Sequence, residues 1–278
     1  MSQRAQRSIW LCADDYGISP AVNAAIRELI GRRRLNATSV MVVAPSFRRE
    51  EAAALIEQAG QHAAIGLHVT LTAPFRPLSP GFAPLRDGAF QPLAATAGRA
   101  IANLLQPALL EAEIESQFRA FREAFGRAPD FVDGHQHVHL FPQISAALIR
   151  VAKDTAPQAW LRQCERAATA PKPLSDPKGF ILDAFSRRFR RLAAQSGMRT
   201  NPAFAGTYAF NADADYTRLF PVFLEGLPDG GVVMCHPGKV DAELSRLDPV
   251  TDLREREHDY FGGETFPALL AAQRITLG

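Results

Sequence analysis

Short apolar runs alternate along this chain with longer segments in which apolar residues recur about every three to four positions. The short runs, several of them rich in valine and isoleucine, predict buried strands of a parallel sheet. They lie at residues 8–13, 38–43, 64–71, 130–133, 159–161, 203–205, 231–235 and 275–277. The helix-periodic segments lie at residues 21–30, 47–59, 111–125, 143–153, 180–196, 213–227 and 253–272. Regular alternation of strand and helix is typical of parallel βα units.

This alternation predicts an α/β fold, and a TIM-like (β/α) barrel of about seven parallel strands fits it better than an open doubly wound sheet. No glycine-rich dinucleotide fingerprint follows the first strand. A length of 278 residues is normal for one such barrel. Because the chain has no internal repeat and no low-complexity linker, we expect residues 1–278 to form a single domain.

Composition narrows the class of protein further. A hydrophobic content of 47% is enough for a large core, and a net charge of only +2 argues against a nucleic-acid binder. Cys12, Cys164 and Cys235 have no CxxC spacing, and an odd number of cysteines suggests a reducing compartment. No apolar run reaches the length of a secretory or transmembrane segment. We therefore expect a cytoplasmic protein.

The first strand ends in two adjacent carboxylates, Asp14 and Asp15, followed by Tyr16 and Gly17. Ser19 and the proline after it then supply an N-cap and a first helical turn. Two like charges side by side repel unless they share a cation or a proton. The simpler alternative is an Asp-Asp turn that only caps the following helix.

Histidines and an arginine follow the other predicted strands. They are His68, His135, His137, His139, Arg162 and His236. Because the carboxyl ends of parallel strands meet at one edge, where barrel sites lie, these side chains are expected near the two aspartates. Alternate residues of a strand share a face, so two histidines of the His-x-His-x-His run could bind one metal. In the alternative, one binds the metal while another orients ligands or substrate.

One carboxylate with two imidazoles forms a metal site that leaves positions for water and substrate. A second aspartate beside it is placed to accept a proton from that water. His236, which arrives from a distant strand and precedes a Pro-Gly turn, is the candidate to protonate a leaving amine.

Four motifs in this sequence match one family in order. They are residues 13–17 (ADDYG), 65–71 (IGLHVTL), 133–142 (DGHQHVHLFP) and 234–238 (MCHPG). The sequence closely resembles the YdjC-like carbohydrate deacetylases, which include chitooligosaccharide deacetylase and a branch associated with hopanoid biosynthesis. The resemblance implies a TIM-like barrel and a metal-dependent hydrolase that removes acetate from an N-acetylated amino sugar.

The resemblance also implies roles for individual residues. Asp15, His68 and His135 would bind the metal. Asp14 would be the general base and His236 the general acid. His137, His139, Arg162 and Tyr16 would line the site, bind substrate or orient ligands, with Arg162 either orienting Asp14 or contacting substrate.

Two departures from the family pattern are visible. Tyr16 stands where the family usually has phenylalanine, which would add a hydroxyl near the site. Gly134 replaces a small polar residue that commonly precedes the first ligand histidine. Neither removes a ligand or proton carrier, so the chemistry is expected to be kept. The resemblance does not determine substrate choice, because the loops at 72–92 and 167–179 show no family match.

We expect one divalent metal ion as cofactor, Mg²⁺ or Zn²⁺, since this donor set also accepts Mn, Co or Ni. The expected partner is a small N-acetylated sugar or a glycolipid head group, with no nucleic acid and no transmembrane segment. A homodimer is one option for the assembly.

Two other functions are compatible with parts of the pattern. A metal-dependent amidohydrolase or phosphoesterase also uses His-x-His on a barrel strand, but usually on the first strand and often with two metals. A barrel that binds sugar or metal without turnover would need neither Asp14 nor His236.

Overall fold

The computed structural model describes residues 6–170, 177–211 and 213–278. Its strands are β1 (Arg7–Tyr16), β2 (Ala37–Val40), β3 (Ala64–Val69), β4 (Phe131–Gly134), β5 (Trp160–Leu161), β6 (Phe204–Ala205), β7 (Gly231–Cys235) and β8 (Ile275–Leu277). Its α-helices are α1 (Pro20–Gly31), α2 (Arg49–Ala59), α3 (Leu93–Ile101), α4 (Pro107–Phe125), α5 (Pro142–Thr155), α6 (Pro177–Gln195), α7 (Tyr216–Phe223), α8 (Leu244–Leu247), α9 (Asp252–Gly262) and α10 (Thr265–Gln273).

Seven strands form one curled parallel sheet in the order β5-β4-β3-β2-β1-β7-β6. The two outer strands approach each other through parallel bridges between Leu161 and Thr200 and between Arg166 and Phe204. The prediction of a TIM-like (β/α) barrel with about seven parallel strands is therefore confirmed. The eighth strand, β8, pairs with β1.

The first strand is central to the sheet. One edge of β1 pairs with β7 from Ile9 to Ala13. The other edge pairs with β8 at its start and with β2 from Cys12 onward. Residues 11–16 are all buried, which explains why this strand is almost continuously apolar until the two aspartates.

Helices cover the outside of the sheet with their apolar faces. In α4, Ile114, Phe118, Phe121 and Phe125 are all buried, as their helical spacing predicts. In α1, the Ser19 side chain accepts a hydrogen bond from the Val22 N–H, so the predicted N-cap is present. These helices hold the strand ends in register for the site.

The element boundaries differ from the sequence predictions in a few places. The helix predicted at 213–227 is only Tyr216–Phe223, because Asp215 caps its start and Pro221 lies near its end. Helix α3 was not predicted, and it begins at Leu93, directly after the predicted loop at 72–92. Of the predicted loop 167–179, residues 171–176 lie outside the described residues. None of the helices described is both long and apolar enough to span a bilayer.

Candidate active site

A local break in β1 brings both aspartates to the same end of the barrel. The register between β1 and β2 shifts between Ala13 and Tyr16, and Asp15 adopts a left-handed backbone with φ of 69°. Successive side chains of a regular strand point to opposite faces, whereas a bulge re-aims them. Asp14 and Asp15 are both buried as a result, with exposed fractions of 2% and 1%.

Asp15 lies at the centre of a cluster with two histidines. Its Oδ1 is 3.3 Å from the Nε2 of His68 and 3.0 Å from the Nδ1 of His135. The three potential ligand atoms lie within 4.8 Å of one another. The other carboxylate oxygen, Oδ2, accepts a hydrogen bond of 2.6 Å from Arg254. The predicted metal ligands are thus brought together.

The hydrogen bonds of His68 determine which of its ring nitrogens could bind a cation. Its Nδ1 lies 2.5 Å from Asp133 Oδ1, a bond in which the ring nitrogen must donate. In the neutral ring, Nε2 then carries a lone pair that faces the Asp15 oxygen. Burial favours the neutral ring, but the carboxylates of Asp133 and Asp14 outweigh it and raise the pKa of His68 to about 10. The lone pairs of His68 Nε2 and of the Asp15 oxygen face each other, and a proton between them is stabilised. A divalent cation bound by oxygen and nitrogen fits the same place.

Asp14 is held by a different set of partners. Arg162 donates to both of its oxygens, with Nη1–Oδ1 and Nη2–Oδ2 distances of 2.7 and 2.6 Å. The Ser39 hydroxyl donates a further bond of 3.2 Å. Burial would raise the pKa of Asp14, but the Arg162 guanidinium and neighbouring histidines hold it well below its usual range. Asp14 is therefore a carboxylate at neutral pH.

Arg162 is fully buried and serves two carboxylates at once. Besides Asp14, its Nη2 lies 2.9 Å from Asp133 Oδ2. The backbone N–H of Arg162 donates to Val132, which extends the β4–β5 ladder by one residue and fixes where the side chain starts. Of the two roles considered from sequence, orienting Asp14 is the one that this geometry fits.

His236 follows β7 on the other side of β1. Its backbone N–H donates a 2.5 Å hydrogen bond to Glu257, and its ring lies 5.6 Å from that of Phe210. Its Nδ1 makes no hydrogen bond to the described residues. Burial lowers the pKa of His236, although the charges of Asp15 and Asp14 partly oppose this.

The histidine run is not part of a strand, because β4 ends at Gly134. Residues His135–Leu140 form a tight turn in which Gln136 and His137 have left-handed backbones. The turn sends His137 toward Cys164 and Phe204. The strand geometry in which two of these histidines share a face is therefore absent, and one histidine of the run, His135, reaches the Asp15 cluster.

His139 is fully buried behind the site. Its Nε2 donates to the carbonyl oxygen of Arg162 at 2.8 Å, and its ring packs edge-on against Phe189 of α6. A Cβ at Gly134 would lie 2.9 Å from His139 Nδ1, so the glycine makes room for this ring. His139 therefore supports the backbone that carries Arg162.

The hydroxyl of Tyr16 does not reach the cluster. It donates to the backbone oxygen of Glu51 at 2.8 Å and accepts a hydrogen bond from Arg27 at 2.7 Å. Both partners lie on the helices that cover the sheet. The Tyr16 hydroxyl therefore joins β1 to these two helices and not to the Asp15 cluster.

Several residues of the site were missed from sequence. Asp133, Ser39, Arg254 and Glu257 all contact a predicted site residue. Only Gly134 separates Asp133 from the histidine run, so its place at the end of a strand was a usable signal. Arg254 lies 239 residues from Asp15 on a helix, and no local pattern links the two.

Comparison with known proteins identifies the family. The family model described as YdjC-like protein matches residues 8–272. This chain belongs to the YdjC-like family. The match covers nearly all of the barrel, from β1 to α10, and so includes every site residue named above.

Two curated relatives of this YdjC-like protein are chitooligosaccharide deacetylases. The protein from Proteus mirabilis (strain HI4320) is 32% identical over 149 residues, which is 52% of this chain and 54% of that protein. The one from Escherichia fergusonii is 28% identical over 255 residues, or 85% of this chain and 83% of the relative.

Among solved structures, an Enterococcus faecalis V583 protein described as a candidate cellobiose-phosphate cleavage protein superposes with a TM-score of 0.74. The superposition covers 99% of this chain and 97% of the other at 21% identity, so it shows a shared fold.

Proposed function

We propose that this protein is a carbohydrate deacetylase that hydrolyses the acetamide of an N-acetylated amino sugar. The observation that carries the proposal is the separation of two adjacent aspartates into different surroundings. Asp15 faces two imidazoles, while Asp14 is an ionised carboxylate held by Arg162. The names of the curated relatives, chitooligosaccharide deacetylase, support the same reaction.

A divalent metal would be held by Asp15, His68 and His135. When bound, such a cation polarises a carbonyl and lowers the pKa of water. Two imidazole nitrogens favour Zn²⁺ or a similar transition metal over Mg²⁺, which prefers oxygen ligands. Asp133 would fix the ring of His68, and Arg254 would fix the carboxylate of Asp15, so that the donors keep their directions.

Asp14 is proposed as the general base. It is ionised and fixed by two hydrogen bonds from Arg162, so it can accept the proton of an attacking water without first changing its rotamer. The hydrogen bond from Ser39 adds a third constraint on the carboxylate.

His236 is proposed as the general acid that protonates the departing sugar amine. Its backbone is fixed by the hydrogen bond to Glu257, and its Nδ1 has no other partner among the described residues. Because burial lowers its pKa, the protonated ring releases its proton more readily than an exposed histidine would. Products are acetate and the free amino sugar.

The test is acetate release from a panel of N-acetylated sugars by metal-loaded protein. The panel includes N-acetylglucosamine, chitobiose, longer chitooligosaccharides and N-acetylglucosamine carried on a lipid. We expect Asp14→Asn and His236→Ala each to lower kcat by about 10²–10⁴, the range for a positioned base or acid. Asp154→Asn, an exposed aspartate of α5, is the matched control and should keep wild-type turnover.

Two outcomes would overturn parts of the proposal. Near-normal kcat in either variant would remove that residue from its role. Release of phosphate or of ring-opened products in place of acetate would support a phosphoesterase or amidohydrolase.

A further inference from the structure

Phe210 is an exposed aromatic ring beside the proposed acid. It is 40% exposed, although most phenylalanines of this chain are buried in the core. Its ring centroid lies 5.6 Å from that of His236, with the two planes at 74°. Its position at the edge of the site leaves this ring available to pack against a bound ligand.

The loop that carries Phe210 is placed by close packing on β7. Gly206 has a φ of 106°, and a Cβ added there would lie 2.1 Å from the carbonyl oxygen of Met234. Only glycine lets the loop after β6 cross β7 at this distance, two residues before His236. The start of the loop is therefore fixed relative to the acid.

The ring of Tyr208 packs against the Phe210 ring and supports it. The two ring centroids are 4.4 Å apart at an interplanar angle of 39°. The Tyr208 hydroxyl donates a 2.7 Å hydrogen bond to Glu257, the same carboxyl that accepts the backbone N–H of His236. Phe210, Tyr208, Glu257 and His236 thus form a closed set of contacts that holds the exposed ring and the acid in one arrangement.

We propose that Phe210 is the platform on which the pyranose ring of the substrate stacks. The apolar C–H face of a sugar ring packs against the electron-rich face of an aromatic ring. Since His236 is the proposed donor to the leaving amine, the sugar bearing that amine must lie next to His236, and hence next to Phe210. The ring that stacks is therefore the reacting sugar, and the recognised ligand is a saccharide and not an acyclic amide. This inference rests on the proposed deacetylation.

Phe210→Ala is expected to raise the KM for chitobiose about 10-fold, with kcat within about twofold, because apolar contact made equally in ground and transition states is lost. Phe210→Trp should keep the wild-type KM. Ile56→Ala on α2 is the matched control, since Ile56 is 42% exposed but lies near the end of a helix that leads to the start of β3. Thermal unfolding of Phe210→Ala should match the wild type.

Calorimetric titration of chitobiose into each metal-loaded protein gives a second readout that needs no turnover. A wild-type KM and Kd in Phe210→Ala, with an active wild type, would overturn the platform alone. Binding that depends on Phe210 without acetate release would keep the platform and remove the deacetylase. If no saccharide binds or reacts, both proposals are wrong.

Discussion

Asp14 and Asp15 are neighbours along the chain, yet their surroundings are chemically opposite. Asp14 is enclosed by the Arg162 fork, whereas Asp15 offers one oxygen to two histidines and the other to Arg254. Two carboxylates acquire separate roles when their environments separate their proton affinities. The presence of both aspartates at a strand end could be predicted from sequence. Their division could not, because it depends on two arginines from distant elements.

Glu257 is a buried residue whose protonation should affect stability. Burial raises the pKa of Glu257 from 4.5 to about 7, although hydrogen bonds from Tyr208 and His236 and the charge of Arg254 oppose the rise. Between these two values the folded chain holds a proton that the unfolded chain has lost. The free energy of unfolding therefore falls as pH rises through this window and levels off above about pH 7.

We expect Glu257→Gln, which does not titrate, to lose this component. The stability of the wild type relative to the variant should fall between about pH 4.5 and pH 7, by at most about 3 kcal/mol. Urea unfolding at several pH values measures it, with Glu255→Gln on the same helix as the control. A difference between wild type and Glu257→Gln that stays constant over this range would contradict the prediction.

At the scale of elements, the strands and most helices could be predicted because their apolar periodicity is strong. Strands β7 and β8 have the predicted bounds, whereas α7 is shorter than predicted and α3 was not predicted. The turn after His135 could not be predicted, because it depends on left-handed backbones at Gln136 and His137. Such backbones are usually predicted from a glycine, and neither position is one. Local periodicity determines elements, and such turns decide which histidine enters the site.

The glycine at the start of the Phe210 loop provides a test at this scale. Gly206→Ala adds a Cβ that collides with the β7 backbone and should lower the free energy of unfolding by about 3–5 kcal/mol. Gly197→Ala is the matched control, because Gly197 also has a positive φ of 78° but nothing within 4 Å of an added Cβ. It should cost only about 1 kcal/mol, the strain of the backbone alone.

Denaturant unfolding of the two alanine variants compares these costs directly. Equal losses of unfolding free energy in the two variants would mean that the loop can move away from β7 in solution. A larger loss in Gly206→Ala should be accompanied by a raised KM for chitobiose, because the platform moves with its loop.

For the whole molecule, the proposed metal should stabilise the fold because its three ligands come from β1, β3 and the end of β4. A ligand present at about 100 times its Kd stabilises the folded state by about 3 kcal/mol. Zn²⁺ added to chelator-treated protein should therefore raise Tm by several degrees. His135→Ala should abolish the Tm shift and lower the amount of bound metal, measured by elemental analysis. His62→Ala is the control and should keep the shift, because the half-buried His62 ring bonds the Ile30 carbonyl at the end of α1. An equal shift in His135→Ala would place the metal elsewhere.

The pairing of β1 with β7 joins residues that are 222 positions apart, as between Cys12 and Met234. A ribosome adds about 5–20 residues per second, so the first strand waits roughly 10–45 s for this neighbour. During that interval the edge of β1 that pairs with β7 is unpaired, and the aspartates it carries lack Arg254. Contacts so distant in sequence also slow folding. We therefore expect the nascent chain to be prone to aggregation until β7 has been made.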